Sequence, residues 1–439
     1  MNAYKKIKSI KHTVIEKELS VLTDFHSNGS YKTIAQNFKL LDQKDYAYMV
    51  RTTDLEKNNF TDNIKYVSKS TYEFLSKSKV YGGEILINKI GSPGSTYLMP
   101  KLDIPVSLGM NLFLLRLKGT IIDGKTLYLF LNSEIGKNII QRKVNGTVPL
   151  TIDKKAIRSL YVPIFSYEFR QQLNKFIDNS RNKEKEAIEK YRQAENLLLA
   201  ELGLENFNPS NEKIAIKSLK DSFLKTGRFD SEYYQVKYDN LFEKILCFKN
   251  KKLSNIVSIN KSIEPGSENY NVDGIPFIRV QDLTKFEIAK PSVYLDSEKY
   301  SKVINPKKDT ILLSKDGTVG IAHKMSDDRN IITSSAILHL NIKDNSVLPD
   351  YLTLLLNSMV VKMQAERDAG GSIINHWKKS EIENVIIPII SMDKQQKISK
   401  LMKESTRLRN DSLNTLEKAI KAVELSIEQG EDEAISFLN

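Results

Sequence analysis

The chain has 439 residues, 40% of them hydrophobic, and Lys plus Arg outnumber Asp plus Glu by 66 to 54, a net charge of +12. Length and apolar content are those of two ordinary domains with real cores and exclude a disordered tail. The single cysteine, Cys247, excludes a disulfide framework and a cysteine-based zinc site. A reducing, cytoplasmic compartment is therefore expected, the more so because no apolar stretch approaches the ~18 residues of a membrane span and Met1–Ser20 has no signal-peptide run. The positive balance favours an anionic partner such as nucleic acid, although a composition rich in Lys, Asn and Ile also follows from an AT-rich genome.

In chain order, the stretch from about Asp24 to Pro163 is a series of short apolar runs, Gly83–Ile87 and Asn111–Leu117 among them, set between Gly, Pro and Asn turns. One helix is predicted near Thr126–Arg142, which makes this an α+β domain. From about Tyr167 to Leu202 the pattern becomes a helix without Pro or Gly. Its apolar stripe is Leu173, Phe176, Ile177, Ile188, Tyr191, Leu198 and Leu202, and Gly203 stops it. At ~1.5 Å per residue this helix is on the order of 50 Å long. The order then repeats, with strands and turns from about Leu253 to Pro388 and a helix from about Asp393 to Glu428, ended by Gly430. In that helix Leu413, Leu416, Ile420, Val423 and Ile427 keep a 3-4-3-4 spacing, the mark of a coiled-coil seam. The two long helices are expected to pair antiparallel and hold two domains apart; the alternative is that each packs on its own domain. The boundaries drawn are 1–164, 165–205, 206–389 and 390–439.

The halves match in detail. Arg51, Asp54 and Leu55 return 228 positions later as Arg279, Asp282 and Leu283, and Lys89, Gly91 and Gly94 return 226 later as Lys315, Gly317 and Gly320. Leu131-Asn132-Ser133 returns 225 later as Leu356-Asn357-Ser358, and at that offset Gly146, Pro163, Gln171 and Lys175 meet Gly371, Pro388, Gln396 and Lys400. A tandem duplication gives a molecule with two similar faces.

This doubled order of mixed domain, strand with Pro (Leu160–Pro163 and Ile386–Pro388), Gln pair (Gln171-Gln172 and Gln395-Gln396) and long helix resembles the specificity subunit of type I restriction-modification systems, over about Asp24 to Gly430. The resemblance implies an α+β fold with two tandem-duplicated target-recognition domains, each reading one half of a split DNA sequence, joined by two long antiparallel spacer helices in a pseudo-twofold arrangement. It also implies double-stranded DNA, two methyltransferase subunits and motor-endonuclease subunits as partners. Physical expectation agrees: half-sites one helical turn apart, ~34 Å, need two readers held at a fixed separation. Affinity would come mostly from Lys and Arg on phosphates and sequence reading from fewer side chains in the grooves.

The first candidate contacts are the repeated turns, with Lys89 and Ser92 in one and Lys315 and Thr318 in the other, because glycine allows close backbone approach and a lysine beside it meets phosphate. The alternative is a β-turn whose glycines serve only backbone geometry. The second candidates are Ser372, Asn375, His376, Lys378 and Lys379, with Arg142, Lys143 and Asn145 in the first half. Trp377, the only tryptophan, is expected to pack rather than stack. Lys32, and His323 with Lys324, read as exposed polar loops of lower rank. Arg51 with Asp54 and Arg279 with Asp282 are expected to be structural pairs.

Catalysis is not expected. Gly119–Thr126 spells G-x-x-x-x-G-K-T, yet its counterpart Asp344–Tyr351 has no Gly or Lys and carries a proline, and Ile121 and Ile122 are bulky where backbone must wrap phosphates. No Pro-Pro dipeptide follows an Asn or Asp as a methyltransferase motif requires, Pro349-Asp350 lacks a following Glu-x-Lys, and the five histidines form no i, i+4 pair. No cofactor or metal is expected. Two readings of other classes remain, a P-loop NTPase or methyltransferase-like enzyme, and a scaffold that binds an acidic protein.

Overall fold

The structure, a computed structural model, describes residues 3–58, 60, 64–119, 121–147, 149–210, 212, 214–369 and 376–439. It divides into two compact units, Met1–Lys183 with Asn410–Asn439, and Glu184–Arg409. The long helices Tyr167–Glu201 and Met392–Gln429 each contribute to both.

The described residues of the first unit form ten strands: β1 (His12–Val14), β2 (Leu19–Asp24), β3 (Ala47–Val50), β4 (Lys65–Val67), β5 (Lys79–Val80), β6 (Ile85–Asn88), β7 (Thr96–Leu98), β8 (Val106–Leu108), β9 (Leu112–Leu117) and β10 (Tyr161–Pro163). They form an antiparallel sheet β2-β9-β6-β7, a mixed sheet β4-β3-β8-β5 and the pair β1-β10. Period-2 alternation sorts the first sheet's side chains. Ile85, Ile87, Phe113 and Leu115 face the helices, while Leu86, Leu112 and Leu114 join Tyr48, Val50 and Leu108 of the mixed sheet. Both faces are therefore apolar.

The second unit repeats this plan with β11 (Asn250–Lys252), β12 (Val257–Lys261), β13 (Ile275–Ile278), β14 (Tyr294–Leu295), β15 (Ile311–Ser314), β16 (Ala322–Lys324), β17 (Ile332–Thr333), β18 (Ile337–Ile342) and β19 (Ile386–Pro388). Its sheets are β12-β18-β15-β16, β14-β13-β17 and β11-β19. Ile311, Leu313, Leu338 and Leu340 face the helices; Leu312 and Ile337 face Ile278 and Leu283.

The predicted helix over Thr126–Arg142 is in fact two helices, Gly124–Asn132 and Glu134–Gln141. Ser133 breaks it by leaving helical geometry (φ −67°, ψ 160°) and capping the second helix, its hydroxyl accepting from Gly136 N at 3.1 Å. A Cβ at Gly136 would lie 2.0 Å from the Phe130 carbonyl oxygen, so the corner requires glycine. The repeated Leu-Asn-Ser has a physical cause here. Ser358 caps Met359–Asp368 in the same way, and Asn132 and Asn357 donate to the carbonyls of Thr96 and Ala322 at 3.2 and 2.7 Å, pinning each helix to its sheet.

Within each unit the long helices pair. In the first, Ser180 and Ser412 exchange hydroxyl-to-carbonyl bonds of 2.9 and 2.8 Å, and Phe169, Leu173 and Ile177 share a core with Ala419, Ala422, Val423 and Ile427. In the second, Ser405 donates to the Ala187 carbonyl at 2.7 Å and Glu201 pairs with Lys394, so the helices run antiparallel. Two expected seam residues face out: Ile188 is 45% and Leu413 43% exposed. Their neighbours Ala187 and Ser412 are buried instead. The seam of the second helix runs through Gln395, Ile398, Met402, Ser405, Arg409, Ser412, Leu416, Ala419, Val423 and Ser426, a 3-4 repeat that is polar at its middle. Arg409 sits there with its guanidinium 4.1 Å from the centroid of the Phe286 ring, its Nε without a partner, and its pKa lowered by burial against the pull of Glu184 and Glu287. Among the described residues no helix is long and apolar enough to cross a membrane.

His339, 5% exposed on β18, bonds Thr333 Oγ1 through Nε2 at 2.8 Å, and burial pushes its pKa down to about 4. A histidine held neutral contributes stability that is fully present above its unfolded pKa of ~6.5 and lost as pH falls toward 4. The second unit is expected to lose about 2 kcal/mol between pH 7 and pH 5 from this group. Denaturant unfolding of the chain and of His339→Gln at both pH values checks it; an equal loss in the variant would assign the effect elsewhere.

Candidate nucleic-acid interface

After β6 and after β15 the chain reverses through the glycine turns. Gly91 and Gly94 have φ of +89° and +91°, Gly317 and Gly320 +72° and +84°, a region that non-glycine residues rarely enter. Gly94 N and Gly320 N each close their turn on a carbonyl, of Asn88 and Ser314, at 2.9 Å. The repeated glycines are therefore a backbone requirement in both halves.

Each turn is then tied to the loop before a short helix. Ile152 N donates to the Lys89 carbonyl at 3.1 Å and Trp377 N to the Lys315 carbonyl at 2.8 Å, while Ile90 bridges Thr151 and Asp316 bridges His376. The helices Lys154–Arg158 and Lys379–Glu383 follow directly. The two groups of predicted contact residues, turn and loop, thus come together twice, in the same way.

The charges within the two copies differ. In the first unit Lys89 Nζ lies 2.7 Å from Asp24 Oδ2 and 5.0 Å from the centroid of the Phe113 ring, and Lys154 Nζ lies 2.9 Å from both Asp24 Oδ1 and Ser27 Oγ. Burial alone would raise the Asp24 pKa, but the two ammonium groups hold the carboxyl well below the usual range. Ser92, Arg142 and Asn145 are exposed; Asn145 trades two 2.8 Å backbone bonds with Thr151, and Lys143 lies over the Tyr4 ring. Lys32 is exposed on the helix Tyr31–Asn37, so it stands on a helix and not in a loop. Lys154 is the residue that sequence reading missed; the signal available was its 225-residue offset from Lys379.

In the second unit one carboxylate again meets two basic groups, but from another position. Asp316 pairs with Lys315 and accepts from His376 Nδ1 at 2.9 Å, and although burial raises its pKa these partners bring it down. Thr318, Lys378 and Lys379 are exposed. Ser372 and Asn375 lie outside the described residues. His323 and Lys324 are not in an exposed loop. They end β16, half-buried, with Lys324 3.1 Å from both Asp309 and Asp350, and burial together with Arg329 pushes the His323 pKa down to about 4. A strand edge packed against a helix holds them there.

Several other expectations are settled by contacts. Asp54 accepts from Arg51 N at 2.9 Å and from its guanidinium at 2.6 and 3.1 Å, and Asp282 accepts from Arg279 N at 2.9 Å and Nε at 3.4 Å, so both are structural pairs. Trp377 is 1% exposed in the main core of the second unit. In the P-loop-like stretch Asp123 accepts from Thr126 N at 2.9 Å, capping the helix with the backbone donor a phosphate would need, and Lys125 Nζ is 2.5 Å from Asp178.

Residues 247–422 match the family model of the type I restriction modification DNA specificity domain. A putative type I restriction enzyme MjaX specificity subunit of Methanocaldococcus jannaschii is 24% identical over 376 residues, covering 82% of this chain and 80% of that protein. Among solved structures, the type I S subunit from M. genitalium aligns over 98% of this chain and 95% of its own at 14% identity (TM-score 0.40). The HsdS subunit from Thermoanaerobacter tengcongensis aligns over 97% and 96% at 12% identity (TM-score 0.29).

Trp377→Ala is expected to destabilise the second unit by about 3–5 kcal/mol, the cost of emptying a large aromatic site. Denaturant unfolding measures it; unchanged stability with weakened duplex binding would instead put the ring against a nucleobase.

Proposed function

We propose that the chain is one of the specificity subunits of type I restriction-modification systems, the non-catalytic DNA-recognition members of those complexes, and that each half reads one part of a split, asymmetric target. The observation that carries this reading is the duplicated arrangement of turn, bridge and short helix with different side chains at matching places. Ile90, Thr151 and Ile152 stand in one half where Asp316, His376 and Trp377 stand in the other. The same backbone frame with unlike chemistry suits two different base sequences. Lys89, Ser92, Arg142, Lys143, Asn145, Lys315, Thr318, His376, Lys378 and Lys379 sit on or beside that frame, Ser372 and Asn375 precede His376 in the sequence, and Lys32 follows Ser27 and Asn28. The exposed basic members position phosphates, Lys89 acts from behind them as the partner of Asp24, and the polar ones meet base edges. His323 and Lys324 serve the packing of β16 rather than DNA. The two long helices, in this reading, set the gap between half-sites and dock two methyltransferase subunits, with motor-endonuclease subunits joining for restriction.

Co-expression with the methyltransferase subunit encoded beside it, followed by genome-wide mapping of modified adenines, tests the reading. One bipartite motif with unlike halves, lost when this chain is omitted, is expected. Two identical half-sites would count against the assignment of different readers, and a stable chain that forms no such complex would favour a scaffold.

A further inference from the structure

Asp24 is 7% exposed, yet two lysines from distant parts of the chain end on its carboxylate, Lys89 at 2.7 Å and Lys154 at 2.9 Å. One negative charge against two positive ones leaves one positive charge unmatched at that point. The two lysines are not equivalent. The Lys89 side chain is 15% exposed and lies against the Phe113 ring, whereas that of Lys154 is 35% exposed and is held on its inner side by Asp24 and Ser27 Oγ. Lys154 is therefore the outlet of the cluster, with donor capacity still directed to solvent.

Its place in the fold is specific. Lys154 opens the short helix that follows the Ile152 to Lys89 backbone bond, and Lys379 opens the short helix that follows the Trp377 to Lys315 bond, 225 positions later. Lys379 is 53% exposed and its nearest carboxylate, Glu383, is 3.8 Å away. A lysine thus stands at the same corner of both frames, beside the turn in each. We propose that Lys154, positioned by Asp24 and Ser27, is a DNA-phosphate contact of the first half, the twin of Lys379 in the second. This rests on the reading given under Proposed function. Asp24 acts as a positioning residue that fixes the ammonium before DNA arrives, and Lys89 is the inner strut that keeps the site net positive. Phosphate contact by an ammonium carries no sequence information, so the change expected on its loss is uniform across targets.

The test uses the full chain assembled with its methyltransferase partner and a duplex carrying the mapped motif, with dissociation constants measured between 50 and 200 mM salt. In Lys154→Gln the slope of log K against log salt should shrink by about 0.9, one phosphate fewer. Binding should weaken by a similar factor on specific and nonspecific duplexes, the modified motif should stay the same, and Lys154→Arg should restore the slope. Lys379→Gln should reproduce the slope change. An unaltered slope and affinity in Lys154→Gln, with or without a lowered unfolding midpoint, would overturn the proposal and make the lysine a structural partner of Asp24. If the unmodified assembly bound no duplex, the DNA-recognition reading of these frames would fall first, a result distinguishable from failure of Lys154 alone.

Discussion

The arrangement of both halves depends on one backbone hydrogen bond, from the amide two residues ahead of a short helix to the carbonyl of the turn lysine. In the first half this is Ile152 to Lys89, in the second Trp377 to Lys315. Together with the Ile90–Thr151 and Asp316–His376 bridges it gives the loop its register against the glycine turn. With it, residues from the sheet, the loop and the helix start share one rim, and a rigid rim is what reading a duplex demands. Because the bond joins main chain to main chain, the side chains around it are free to differ. They do so at the two bridge partners and at the amide donor itself.

Electrostatics then sets the two rims apart. Each gathers two basic groups around one carboxylate, but the carboxylate comes from β2 in the first half and from the turn itself in the second. A buried acid held ionised by two ammonium groups fixes their direction; an acid on the turn presents an acceptor at the rim. An acceptor at the rim can meet a base donor such as cytosine N4 or adenine N6, whereas ammonium groups, which only donate, cannot.

Much of this was legible in the sequence because duplication exposes which residues a fold cannot change. The lysine and glycines of the turns, the Leu-Asn-Ser corners and the Arg-Asp pairs all recur, and each has a backbone or capping task in the structure. What could not be read was anything decided by a partner far along the chain. Ser133 looks like one more helix residue until the next helix needs its hydroxyl. The apolar pattern of the second long helix points to Leu413, while the seam takes its neighbour Ser412, whose hydroxyl has Ser180 opposite. Lys154 carries no mark in the sequence, because the carboxylate that orients it, Asp24, lies 130 residues earlier. A polar seam weakens a helical pair and in exchange admits fewer registers, since sliding would part Ser180 from Ser412 and Ser405 from the Ala187 carbonyl.

The way the helices close the cores also bears on the order in which the chain is made. Residues 184–409 form an uninterrupted unit, able to complete its core from its own segment. The core of the amino-terminal unit takes Ala419, Ala422, Val423 and Ile427 from the second long helix and Ala434 and Leu438 beyond it. During synthesis that core stays open on one side while more than two hundred further residues are translated. The domain begun first is thus the one finished last, and a nascent chain stalled before residue 410 exposes the apolar surface of its beginning rather than of its end.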